Sequence, residues 1–261
     1  MTLAVNNVVL VRGTRTVLNG VSFSVAPGEV VGLLGANGAG KSSLLGLLGG
    51  ELAATRGEVT LDTVPLSGVS TVMQARGRAV LPQKPSLQFD LRVADVVAMG
   101  AYPFPKLCSA KVEQLVQDAL AVADVSALAD RPYMDLSGGE QQRVHLARVL
   151  VQCRSERVPE DARYLLLDEP TASQDPLHQQ NVLKVAHDIA HTERVGVVVV
   201  LHDVNLAARW CDRIVLLADG KIVVDGTPAD ALTPLHLKRV YGIDAAVMPH
   251  PLHEGRLLVL V

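Results

Sequence analysis

Aromatic side chains are scarce in this 261-residue chain: three Phe, four Tyr and one Trp, 3% of the total. A core made without them must rest on Val, Leu and Ala, and each aromatic that is present carries positional information. Cysteine is equally sparse. Cys108, Cys153 and Cys211 are odd in number and form no CxxC pair, which argues against a disulfide framework or a zinc site and for a reducing cytosol. A basic footprint is missing too. Against 27 Asp and Glu stand 24 Lys and Arg, a formal charge of −3, so bulk electrostatics give no reason to expect nucleic acid as a partner. Long apolar runs are absent: the stretch at 197–201 falls far short of a membrane span, and no basic leader precedes an apolar run at the N-terminus. Neither a spanning helix nor a signal peptide is therefore expected, and work at a membrane would go through a partner. What remains, 49% hydrophobic and 20% charged, is the composition of a compact fold with ample core.

The apolar run at 8–11 and the alternation Val21-Ser22-Phe23-Ser24-Val25 predict strands. Residues 29–34 form an apolar run ending in a glycine-rich loop, and 41–48 have helical composition stopped by Gly49-Gly50. Between 84 and 134, Pro85, Pro103 and Pro105 alternate with helical stretches at 93–99 and 111–128. The second is amphipathic, with Val112, Leu115, Val116, Ala119, Leu120 and Ala123 on one face. Another helix is expected after Leu136, running to about residue 151. Residues 163–167 and 195–201 read as fully buried parallel strands. Segments 214–217 and 221–225 flank Asp219-Gly220, a hairpin signal. Strands alternating with helices specify an α/β fold. No repeat, low-complexity tract or linker interrupts the chain, and the apolar run at 257–261 has no assigned place.

Three segments carry chemistry. Gly35-Ala36-Asn37-Gly38-Ala39-Gly40-Lys41-Ser42, followed by Ser43, fits GxxxxGK[ST]. The glycines let successive N–H groups face one centre at a helix N-terminus, which suits a β-phosphate. Lys41 supplies charge to the β- and γ-phosphates, and the Ser42 hydroxyl is available to Mg²⁺. Tyr164-Leu165-Leu166-Leu167-Asp168-Glu169 places two acids at the end of a buried strand, where ligands gather in open α/β sheets. Asp168 is suited to hold Mg²⁺ and Glu169 to orient the attacking water. Leu136-Ser137-Gly138-Gly139-Glu140-Gln141-Gln142-Arg143 offers a second glycine-led helix start. A Ser cap with Glu140 closing a capping box accounts for Ser137 and Glu140, but not for two glycines at the start of a helix.

Together these segments resemble the ATP-binding cassette (ABC) ATPases, over about residues 1–240. The resemblance implies a P-loop NTPase fold: a RecA-like parallel-sheet core at 1–83 and 152–241, an N-terminal antiparallel β subdomain, an inserted helical subdomain at 84–151 and a C-terminal tail at 242–261. It implies ATP and Mg²⁺ as cofactors. It also implies a head-to-tail homodimer in which Ser137, Gly138 and Gly139 of one copy close over the γ-phosphate held by the other. Gln83 matches the Q-loop that touches Mg²⁺, His202 the switch histidine on the γ-phosphate, and Asp175 the acid of the D-loop at the dimer interface. The expected catalytic set is Glu169, His202 and Gln83, and the expected Mg²⁺ set Ser42, Gln83 and Asp168.

Three departures stand out. The D-loop reads Ala172-Ser173-Gln174-Asp175 rather than SALD, and Ala36 replaces the usual proline. The adenine-stacking aromatic is missing near Leu10, Val11 and Arg12, so adenine is expected to stack on Arg12 or pack on Val11. Phe89, Tyr102 and Phe104 cluster in sequence just after Gln83, where the family docks its membrane subunit, and suit an interface or a local core.

The segment 93–102, the extension 152–163 and the stretches 176–180 and 201–208 resemble importers of iron chelates, haem and cobalamin, most of all the ATP-binding subunits for hemin. The implied assembly is two ATPase subunits, two integral-membrane permease subunits and a periplasmic binding protein, at the cytoplasmic face of a bacterial inner membrane. Ferric-siderophore or cobalamin import is the alternative cargo, and a non-transport cassette ATPase the alternative function. His250 and His253 read as solvated tail residues.

Overall fold

The computed structural model describes residues 2–83, 87, 89–156, 162–172 and 174–261. Strands β1 (Leu3–Arg12) and β2 (Arg15–Val25) pair antiparallel from Leu3↔Val25 to Arg12↔Arg15. They run well beyond the predicted 8–11 and 21–25, because cross-strand pairing carries their polar residues along. β3 (Val30–Gly35) leads through the glycine loop into α1 (Lys41–Leu48). β4 (Arg56–Leu61) and β5 (Val64–Pro65) return to the first sheet, whose order is β2-β1-β4-β5. Then come α2 (Thr71–Gly77), β6 (Arg78–Leu81), α3 (Val93–Ala98), α4 (Ser109–Val122) and α5 (Gly138–Arg154). The chain re-enters the centre with β7 (Arg163–Asp168), α6 (Pro176–Glu193), β8 (Val195–Val200), α7 (Val204–Trp210), β9 (Arg213–Ala218) and β10 (Lys221–Gly226). Short helices α8 (Pro228–Ala231) and α9 (Pro234–Tyr241) precede a hairpin of β11 (Ala246–Pro249) and β12 (Leu257–Leu260).

The central sheet has the order β10-β9-β3-β8-β7-β6. Every neighbouring pair is parallel except β9–β10, the hairpin turning at Asp219 and Gly220 with φ +50° and +71°. Alternation along the strands splits the core in two. Val31, Leu33, Leu166, Val198, Val200 and Val215 face α1 and the antiparallel sheet. Val30, Leu34, Leu165, Leu167, Val197 and Ile214 face the helices on the other side. Buried on both faces, these strands read as continuous apolar runs.

Helices α3, α4 and α5 pack on one another, and α5 also lies against β6. The helix expected over 111–128 ends at Val122. Asp124 adopts φ +55°, a left-handed conformation that cannot continue an α-helix, and residues 126–128 form a separate 3₁₀ turn. The apolar run at 257–261 finds its place in the terminal hairpin. Asn205 of α7 donates through Nδ2 to the Val259 carbonyl (3.0 Å) and accepts from the Val259 N–H (2.7 Å).

The three aromatics after Gln83 differ in burial. Phe89 and Tyr102 are 71% and 74% exposed, but Phe104 is only 2% exposed. Its ring lies 5.4 Å and 5.1 Å from the guanidinium carbons of Arg76 and Arg163, so two cations and a core position hold it inside. Pro85, Ser173 and residues 157–161 of the extension lie outside the described residues.

Candidate active site

Four adjacent parallel strands, β3, β8, β7 and β6, end at the same edge of the sheet, and each delivers a predicted site residue there. Gly35 closes β3, His202 lies two residues beyond β8, Asp168 closes β7 with Glu169 next, and Gln83 lies two residues beyond β6. Residues scattered over the sequence thus converge because the parallel register aligns the strand ends, with Leu33 opposite Val200, Val200 opposite Asp168 and Leu167 opposite Leu81.

The loop from Gly35 to Ser42 has the backbone its glycines permit. Gly35 and Gly40 sit at φ +149° and +106°. A Cβ at Gly35 would run into the Leu217 carbonyl oxygen, and one at Gly40 would lie 2.7 Å from Leu18. Gly40 caps α1 without any side-chain hydrogen bond, and no acid occupies the first turn of that helix. Its N-terminal amides and dipole therefore remain available to an anion. Lys41 is buried. Its Nζ donates to the carbonyls of Gly35 (2.7 Å) and Ala36 (3.2 Å). Burial lowers its pKa, while Glu169 and Asp168 oppose that shift.

Ser42 Oγ donates to Asp168 Oδ1 (3.1 Å). Burial raises the Asp168 pKa, opposed chiefly by that hydrogen bond. Glu169 adopts φ +49°, a conformation costing on the order of 1 kcal/mol for a residue with a side chain. Its carboxylate is held from both sides. Gln83 Nε2 donates to Oε2 (2.5 Å), and His202 Nε2 pairs with Oε1 (2.5 Å).

A cleft of about 390 Å³ lies over these groups, lined by Asn37, Gly38, Gly40, Lys41, Ser42, Ser43, Glu169 and His202, and on the far side by Arg12, Arg15 and Val17. Arg12 is where the sequence suggested, but Val11 does not line the cleft. Arg15 and Val17 were not foreseen. The signal for them was the tight β1–β2 turn, which must set the first residues of β2 beside Arg12. Ala36 and Ala39 line an adjoining hollow on the other side of the loop.

Ser137, Gly138, Gly139 and Asp175 stay outside the cleft. Ser137 caps α5 in a full capping box. Its N–H and its Oγ both donate to Glu140 Oε2 (2.8 and 2.7 Å), and Glu140 N–H donates to Ser137 Oγ (3.4 Å). These bonds lower the Glu140 pKa. Gly138 has open space where a Cβ would be. Asp175 caps α6, accepting from the Leu177 and His178 N–H groups (3.0 Å each) and pairing with His178 Nδ1 (2.6 Å).

Residues 18–172 match the family described as ABC transporter. A protein of Bordetella pertussis named hemin import ATP-binding protein HmuV is 57% identical over 260 residues, covering 100% of this chain and 99% of its own length. A protein of the same name in Pseudomonas putida is 49% identical, covering 99% of both chains. Among solved structures, one assigned to the metal-chelate type of ABC transporter, in an inward-facing conformation, superposes with a TM-score of 0.81 at 25% identity, covering 99% of this chain and 96% of that one. A bacterial ABC transporter cassette in dimeric form gives 0.76 at 25% identity, covering 87% of this chain and 99% of that one.

Proposed function

This chain belongs to the ABC transporter family as an ATP-binding, ATP-hydrolysing subunit, and from that premise we propose that it drives the import of hemin. The observation that carries the catalytic reading is the meeting of the Lys41 cradle with a Glu169 carboxylate held between Gln83 and His202. The cargo is supported by full-length relatives at 49–57% identity that bear the hemin name.

Gly35, Ala36, Asn37, Gly38, Ala39 and Gly40 wrap the β-phosphate with backbone, and Lys41 leaves its two loop carbonyls to meet the β- and γ-phosphates. Glu169 aligns the attacking water and accepts its proton, and His202 senses the γ-phosphate from the neighbouring strand end. The hydroxyl, carboxylate and amide oxygens of Ser42, Asp168 and Gln83 form an all-oxygen donor set, which fits Mg²⁺. When bound, that ion neutralises charge on the phosphates.

Ser137, Gly138, Gly139 and Asp175 lie outside the cleft of their own chain, which supports a role in a second copy's site within a homodimer. Exposed Phe89 and Tyr102, close in sequence to Gln83, support docking to a membrane permease. No helix among the described residues is long and apolar enough to cross a membrane. We read 1–83 and 152–241 as the core, 84–151 as an inserted helical subdomain and 242–261 as a C-terminal tail. The subunit works at the cytoplasmic face of the inner membrane, with a periplasmic binding protein delivering cargo to the permease.

Glu169→Gln should bind ATP and lose hydrolysis by roughly 10²–10⁴-fold; a normal turnover rate would overturn the assignment of the base. Reconstitution with permease and binding protein, with ATPase activity followed, should give stimulation by hemin and none by a ferric siderophore or cobalamin. Stimulation by either of the latter alone would overturn the cargo.

A further inference from the structure

A second polar cluster lies apart from the ATP cleft, where the last turns of α6 meet the segment between α7 and β9. His187 and His191, one helical turn apart, bring their rings to a centroid distance of 4.1 Å in a stacked arrangement. Asp212 faces them, its Oδ2 lying 3.3 Å from His191 Nε2. One donor atom from each of the three residues falls within 4.8 Å of the others.

The hydrogen bonds around the trio limit what can fill it. His191 Nδ1 lies 2.8 Å from the His187 carbonyl oxygen, a pure acceptor, so Nδ1 carries the proton. In a neutral ring Nε2 is then a lone pair, and it points at a carboxylate oxygen. Two acceptors at this separation require a cation between or beside them, either a proton on Nε2 or a metal ion. A proton would place an imidazolium against the stacked His187 ring. Asp212 is fixed by the backbone: its Oδ2 accepts from Val30 N–H (2.8 Å) and its own N–H donates to the Val30 carbonyl (2.9 Å). Asp188 adds negative charge 3.8 Å from His187 Nδ1, and Arg256 adds opposing positive charge.

We propose that His187, His191 and Asp212 form a site for a divalent transition-metal ion, of the zinc, copper or nickel class, that staples the end of α6 to the base of β3 and β9. Two imidazoles and one carboxylate suit such borderline ions rather than Mg²⁺. Metal–donor bonds of about 2 Å in tetrahedral geometry place donors about 3.3 Å apart, which is the observed His191–Asp212 spacing. A bond from the second ring nitrogen of a ligating histidine to a backbone carbonyl is the usual orienting contact, and His191 already makes it. Water completes the shell on the exposed side.

The chain carries its own probe, since Trp210 is its single tryptophan and its ring centre lies 5.8 Å from that of His187. Full-length protein stripped with a chelator and titrated with Cu²⁺ should show saturable quenching of tryptophan emission at one equivalent. Zn²⁺ should reverse the quenching, and excess Mg²⁺ should not. Zn²⁺ should also raise Tm. His191→Gln and Asp212→Asn should each weaken Cu²⁺ binding at least about tenfold. The His250→Ala/His253→Ala double variant, which removes the other close histidine pair, should bind as wild type. Absence of saturable quenching would overturn the proposal, leaving a protonated His191–Asp212 ion pair. So would equal binding by the His191→Gln variant, or loss confined to the His250/His253 variant. None of these readouts depends on ATP hydrolysis.

Discussion

Helices α1 and α5 both begin on glycine-rich segments, yet their first turns are satisfied in opposite ways. α1 starts from a left-handed Gly40 with no side-chain cap and no acid in the first turn. α5 starts from Ser137 locked to Glu140, with that carboxylate placed at the positive end of the helix. The first leaves its amides to a guest and has Lys41 beside them. The second is already neutralised by its own side chains, and the face at Gly138 is open to an approaching group. One chain therefore holds a prepared anion receptor and a second helix start that is stable by itself until something comes to it.

The sharpest way to break this contrast is at Lys41. Lys41→Ala should lower ATP hydrolysis by roughly 10²–10³-fold, the range for removing a prepared charge-stabilising donor, without altering unfolding cooperativity. Steady-state phosphate release checks the first and denaturant unfolding the second.

The next effect separates the bodies of the two helices. α5 carries a buried His145, hydrogen-bonded to Tyr133 Oη (2.9 Å), whose pKa burial lowers to about 4, with Arg148 adding to the shift. The unfolded chain takes up this proton near pH 6.5 and the folded chain only near 4. Between those values the unfolded state binds more protons, so stability should fall as pH falls, at up to about 1.4 kcal/mol per unit. Denaturant midpoints across this window check the slope, and His145→Gln should flatten it.

Ser137→Ala should cost about 1 kcal/mol of stability by removing the cap of α5, read by the same unfolding assay. No equivalent side chain exists to remove at α1. The smallest effect concerns the far wall of the cleft. With Arg12, Arg15 and Val17 there in place of an aromatic, ATP and GTP should bind within about threefold of each other, less than about 0.7 kcal/mol. Competition binding checks this, and a strong adenine preference would contradict it.

The sequence was most legible where function depends on backbone. A loop needing φ values that only glycine tolerates, followed by Lys41, announces itself locally, and so do strands buried on both faces. The convergence of Gln83, Asp168, Glu169 and His202 was reached through family resemblance, since strand order is a long-range property. Less was legible where neighbours distant in sequence decide. Phe104 suited an interface or a local core equally well by sequence, and what decides for the core is Arg76 and Arg163 around its ring. The end of α4 depended on the left-handed turn at Asp124. The terminal hairpin had no assignment because its anchor, Asn205, lies more than fifty residues upstream.

The cysteines offer a use of their own. Cys153 and Cys211 are buried, and burial pushes the Cys211 thiol pKa far above its ordinary value, whereas Cys108 at the start of α4 is exposed. A thiol-reactive spin label or fluorophore should therefore attach at one position without mutagenesis. In an assembly holding two copies, that pair of labels is a ready ruler. It would report in ångströms how far the layer of α3, α4 and α5 travels as nucleotide is bound and spent.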